Sequence, residues 1–194
     1  LFTLHLVGAA PNMDLYNAIA HGFSTLPTGG FSPQAESVAA FTPIVQWAFV
    51  PFMIIAGINF ALFWFVWRGE WDELTTDVEL HVYLGLVGLF SILLAVTLIR
   101  GGAPPTELGG ITAGASENAI RQAVFQIASL LNSTGFATAD FAQWETHTQF
   151  VLLFAMFIGG SAGSTGGGIK MIRLMIIMKN IGREFRQIIH PQAI

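Results

Sequence analysis

Three stretches of the chain, 37–67, 80–99 and 146–169, contain no Asp, Glu, Lys or Arg. Each is long enough for a helix to cross the hydrocarbon core of a bilayer, which takes about 20 apolar residues. A core helix of a soluble protein seldom runs so far without a charge. The composition agrees: hydrophobic residues make up 53% of the 194 and charged residues 10%, against roughly 25% charged in soluble proteins. An ordinary soluble enzyme, a disordered chain and a nucleic-acid binder all need more charge. Cysteine is absent, which removes disulfides, thiolate metal sites and Cys nucleophiles together. The chain therefore reads as an all-α membrane protein. Residues 1–10 are also uncharged and apolar, without the basic start or cleavage site of a signal peptide. With no Met at position 1, they read as the end of a helix that begins elsewhere, and the chain as a fragment.

Lys and Arg set the orientation of such helices, because they are retained on the cytoplasmic side. Five of the eight are Lys170, Arg173, Lys179, Arg183 and Arg186, which predicts a cytoplasmic C-terminal end. Arg68 directly follows the first long stretch, so the otherwise acidic loop 68–79 is predicted to be cytoplasmic too. The 80–99 helix then runs outward to Arg100 and the last one returns. Trp64, Trp67, Trp71 and Tyr83 fall at the inner boundary, as an aromatic belt would.

The segments between these helices repeat. Residues 14–26 form a short helical pattern followed by Pro27, Thr28, Gly29, Gly30, Phe31 and Ser32. Residues 117–131, with Ser116 as cap, form another, followed by Asn132, Ser133, Thr134, Gly135 and Phe136. Phe31 and Phe136 are 105 positions apart, and at that offset Ser24 faces Ser129, Leu26 faces Leu131 and Thr28 faces Ser133. A Gly- and Pro-rich outer loop at 101–116 precedes the second copy. An internal repeat of this order points to one structural unit used twice. Irregular backbone at membrane depth survives only inside protein or beside a wet cavity. A half-helix that returns through a Thr-Gly turn places carbonyl oxygens where they can replace the hydration shell of a cation. Glycine reaches the backbone angles this needs. Neither loop holds a carboxylate, which argues against a divalent-selective ring and for K+ or Na+. One such loop alone would pass for a surface turn; two in matched context argue for a pore.

The last apolar stretch carries Gly159, Gly160, Ser161, Ala162, Gly163, Ser164, Thr165, Gly166, Gly167 and Gly168, six glycines in ten residues. Each Gly weakens a helix by about 1 kcal/mol relative to Ala, so the segment is predicted to break in mid-membrane. A movable gate across an ion path is the functional reading. Close helix packing through small residues is the other, although packing motifs are spaced rather than continuous. The phosphate-loop likeness of 163–170 fails because Ile169 precedes Lys170 and Met171 follows it, where that motif needs Gly-Lys-Ser/Thr. Asn132-Ser133-Thr134 fits a glycosylation sequon, but a glycan there would block the pore. His5, His21, His81, His147 and His190 have no metal-ligand spacing and read as interfacial or capping residues. No catalytic set of residues can be assembled, so the chain does not read as an enzyme.

Segments 24–32, 132–141 and 157–173, with the ending REFRQIIHPQAI, resemble the Trk/Ktr/HKT superfamily of potassium transporters, closest to the TrkH type. The Gly-rich segment is the most specific of them. Members resemble four fused M1–P–M2 units around one pore, with re-entrant pore helices as in potassium channels. The resemblance implies that 1–76 hold the end of M1, the pore loop and M2 of one unit, and 77–194 a complete next unit. It implies potassium uptake in the cytoplasmic (inner) membrane by a multi-pass protein that binds no covalent cofactor and carries K+ as its cargo. Pro27, Thr28, Gly29 and Gly30, with Asn132, Ser133, Thr134 and Gly135, would supply two shares of the selectivity filter, Gly30 and Gly135 as filter glycines and Pro27 and Asn132 one step deeper. Residues 159–168 would gate it. A TrkA-like nucleotide-binding regulatory subunit would face Arg183 and Arg186, and the full-length chain would form a homodimer. His81 departs from the Arg of relatives, and Pro27 is an unusual filter neighbour. The alternatives are a non-conducting membrane subunit that only scaffolds a complex, and an enzyme acting within the membrane.

Overall fold

A computed structural model describes residues 1–101 and 115–189. Among them the regular structure is helical, apart from one isolated bridge between Ile158 and Ile169. The sequence-predicted outer loop falls almost wholly on residues outside this range, as does His190.

A short helix α1 (Phe2–Leu6) leads to α2 (Leu15–Thr25). Asp14 starts α2 by accepting from Asn17 N at 2.8 Å, satisfying one of the donors that every helix start leaves open. The second half-length helix, α7 (Ala115–Leu131), begins one residue before Ser116, which therefore lies in its first turn and is not its cap. Between them come α3 (Pro43–Ala56), α4 (Phe60–Trp67), α5 (Trp71–Thr76) and α6 (Val78–Gly101). The chain closes with α8 (Thr146–Phe157) and α9 (Met171–Ile189).

Among the described residues, α6 is the one helix long and apolar enough by itself to cross a membrane. At about 1.5 Å per residue, its 24 residues exceed the hydrocarbon thickness. The 37–67 stretch is not the single helix its hydropathy suggests. It enters α3 only at Pro43 and turns by 91° between α3 and α4. Gly57 and Ile58 end the ladder, and Asn59 restarts it by accepting from Ala61 N at 3.0 Å. The 146–169 stretch does break, after Phe157.

Two apolar clusters hold the helices together. One joins α6, α7 and α8 through Tyr83, Val87, Leu94, Ala123, Ile127, Leu131 and Leu152. The other joins α3 to α7 and to the turn after it through Phe49, Met53, Phe125 and Phe136. Small Ala residues on α7 let it lie close to both neighbours. Two sequence expectations give way here. Tyr83 is fully buried and no part of a belt, whereas Trp64, Trp67 and Trp71 are exposed. His21 is neither interfacial nor a cap: its ring is buried among Phe41, Phe49 and Phe136 at 5.2–5.6 Å between centroids.

Candidate functional site

The turns after α2 and α7 share two backbone hydrogen bonds at matching positions. Thr28 N donates to Thr25 O and Ser133 N to Leu130 O; Gly29 N donates to Ser24 O at 2.8 Å and Thr134 N to Ser129 O at 2.7 Å. Every one of these residues is matched by the 105-residue offset. The Ser hydroxyls then close the turns, Ser24 Oγ accepting from Phe31 N at 2.7 Å and Ser129 Oγ donating to Phe136 O at 2.6 Å. Backbone φ is left-handed at Thr28 (56°) and Gly30 (67°) and again at Ser133 (54°) and Gly135 (86°), while Gly29 and Thr134 between them are not left-handed. Such alternation turns successive peptide groups to one side of a segment. A β-branched Thr in that region is strained, by about 1–3 kcal/mol. In both turns the hydroxyl there is bonded to the carbonyl just before it, at 2.6 Å.

The two turns meet. A Cβ on Gly30 would collide with the Thr134 carbonyl oxygen and crowd Gly135, and the nearest atom to a Cβ on Gly135 would be Gly30 Cα at 4.0 Å. Thr28, Gly29, Gly30, Ser133, Thr134 and Gly135 are therefore neighbours. Pro27 is exposed, while Asn132 is buried. The Asn132 side chain turns to the helices: its amide donates to Met53 O and Ala128 O, both at 3.0 Å. Its Oδ1 lies 3.0 Å from the Tyr83 hydroxyl, which is also 2.9 Å from Ile54 O. Gly57 fits against this knot only because it lacks a side chain, since a Cβ there would overlap Asn132 Oδ1 and the Tyr83 hydroxyl.

The Gly-rich segment lies against both turns. Thr28 Oγ1 donates to Thr165 O at 3.1 Å, and Gly167 N donates to Ser133 Oγ at 2.5 Å. Its ends are clasped by Gly159 N to Ile169 O at 2.9 Å and Ile169 N to Phe157 O at 3.2 Å. Gly160, Ser161 and Gly166 are buried; Gly163, Thr165, Gly167 and Gly168 are exposed; Ala162 and Ser164 are half-buried. The segment docks into the break between α3 and α4. Ser161 N donates to Gly57 O at 2.9 Å, Thr165 N to Ala56 O at 3.3 Å, and Phe60 N to Gly163 O at 3.2 Å. Sequence reasoning missed Gly57, Asn59, Tyr83 and Glu79, all of which touch this assembly. Pro51 and Gly57 inside an apolar run were the available signals for the bend. Among the described residues, no three His, Asp or Glu gather as metal ligands.

The relatives of this chain are consistent with one another. It is 33% identical over 184 residues to the Trk system potassium uptake protein TrkH of Escherichia coli K12, covering 94% of this chain and 36% of that one. It is 34% identical over 197 residues to the TrkH of Halomonas elongata, covering 99% and 38%. The crystal structure of the potassium transporter TrkH from Vibrio parahaemolyticus superposes with a TM-score of 0.83 at 31% identity, over 98% of this chain and 41% of that one. The chain thus spans less than half the length of these proteins. The family model described as TrkH, cation transport protein, matches residues 7–194, which take in both turns and the Gly-rich segment, and the chain belongs to that family.

Proposed function

We propose that these residues form two of the units lining a potassium uptake pathway in the cytoplasmic membrane. One observation carries the reading: two turns that share two backbone hydrogen bonds and the same alternation of φ, 105 residues apart, bring their glycines against each other with no carboxylate in either. Each turn follows the C-terminal end of a half-length helix, where the macrodipole places partial negative charge, so a cation is favoured. Carbonyls of Thr28, Gly29 and Gly30 and of Ser133, Thr134 and Gly135 replace part of the ion's water. Pro27 and Asn132 stand one step deeper, and the carbonyl of each already accepts a hydroxyl proton. Residues 159–168 gate the path, since they rest on both turns and are held there by hydrogen bonds. Residues 1–76 and 77–194 are the two units, and units elsewhere in the full-length chain complete the ring. The basic face of α9, with Arg183 and Arg186, is the place for a TrkA-like cytoplasmic regulator, and the full-length protein works as a homodimer. The names of the relatives support potassium as the cargo, and ion movement needs no catalytic residue.

Replacing Gly135 by Val in the full-length protein tests this. Restored potassium-dependent growth of an uptake-deficient host, with an unchanged preference for K+ over Na+, would leave the scaffold reading as the better one.

A further inference from the structure

Two residues one turn apart on α6 reach into the two loops. Glu79 Oε1 accepts from Ala162 N, within the Gly-rich segment, at 2.7 Å. Tyr83 meets Asn132 at the foot of the second turn. Residues four apart share a helix face, so one face of α6 touches both the segment and the turn.

Glu79 lies in the first turn of α6, where a carboxylate ordinarily serves its own helix. That role is filled by Asp77, whose Oδ1 accepts from Leu80 N at 2.5 Å. Glu79 instead reaches a main-chain amide 83 positions along the chain. The other external holds on the segment are neutral. They are the Ala56 and Gly57 carbonyls, the Phe60 amide and the Thr28 and Ser133 hydroxyls described above, and the Leu26 carbonyl, which accepts from Thr165 Oγ1 at 3.0 Å. Lys170 folds the later half of the segment on itself, donating to the carbonyls of Ser164 and Gly166. Glu79 is thus a charged contact from outside onto the earlier half, and charge-assisted hydrogen bonds are roughly twice as strong as neutral ones.

We propose that Glu79 is a positioning residue that holds the Gly-rich segment against the turns and so sets how often the path is closed, while ion choice stays with the turns. The inference rests on the reading of 159–168 as a gate. A contact made only in the closed arrangement biases the equilibrium by its own strength and leaves the open arrangement untouched.

The test uses the full-length protein in liposomes, with Rb+ flux and the K+/Na+ ratio measured for the parent and for Glu79→Ala, Glu79→Gln and Glu79→Asp. Glu79→Ala should raise basal flux about tenfold, the shift expected for one lost hydrogen bond to a charged group, without moving the ion ratio. Glu79→Gln keeps an oxygen that can accept from Ala162 N but loses the charge, and should raise flux by less than the Ala variant. Glu79→Asp, with its carboxylate withdrawn, should fall between and serves if the Ala variant does not fold. Flux that is unchanged or lower in folded Ala and Asp variants, or a changed ion ratio, overturns the proposal. Ala162→Cys in a cysteine-free background reports on the gate itself. If thiol labelling there leaves flux intact, the gate reading fails and the proposal with it; if labelling blocks flux while the Glu79 variants change nothing, only the role of Glu79 is wrong.

Discussion

Residues 24–31 and 129–136 trace the same turn, yet different structures stand behind them. The second turn grows from α7, which is packed between α3, α6 and α8, and its Asn132 is tied to three backbone or side-chain oxygens. The first grows from α2, which shows Leu15, Tyr16, Ile19, Phe23 and Leu26 on an exposed face. Its support is His21, bonded to Asn17 O at 2.7 Å and to Ser32 Oγ at 3.0 Å. Backbone geometry is therefore set by the turn's own hydrogen bonds and glycines, and side-chain support can be exchanged around it.

The glycines should break the symmetry most sharply. Gly30→Ala must push a methyl into the Thr134 carbonyl, whereas Gly135→Ala meets nothing nearer than 4.0 Å and bears only the strain of its positive φ. Uptake by the full-length protein should be abolished by the first and reduced by the second. Equal losses would mean that the turns do not touch as described. A smaller contrast separates the residues preceding them. Asn132→Ala strips a buried network and should destabilise by about 3 kcal/mol, read as a lower melting temperature in detergent. Pro27→Ala, at the equivalent exposed position, should stay within about 0.5 kcal/mol. Within that network Tyr83→Phe should cost less than Asn132→Ala, about 1 kcal/mol, because it removes one shared proton. It should shift the K+/Na+ ratio only if the knot around Asn132 holds the second turn in shape.

Much of this was legible in the sequence, for a physical reason. The half-helices, their turns and the break after Phe157 depend on local properties: Asp14 at a helix start, Thr or Ser before Gly, and six glycines in ten residues. The 91° bend between α3 and α4 was not legible. Residues 37–67 are apolar throughout, and Pro51 and Gly57 alone do not specify a turn, because the bent carbonyls find their donors in residues 161 and 165. Tyr83 was misplaced at the lipid boundary for the same reason, since its partner Asn132 lies 49 positions away. Asn132 itself could be placed at the turn from sequence, but the direction of its side chain could not.

The docking of the Gly-rich segment into the bend between α3 and α4 also orders biosynthesis. Thr165 reaches Ala56 across 109 positions, so at about 5–20 residues per second the ribosome needs on the order of 5–20 seconds between making the acceptor and making its donor. Until then the open carbonyls of the bend must be shielded from lipid, where unsatisfied backbone is costly. The elbow between α3 and α4 would then have to wait, beside the translocon or still facing water, until residues 161–165 have been made.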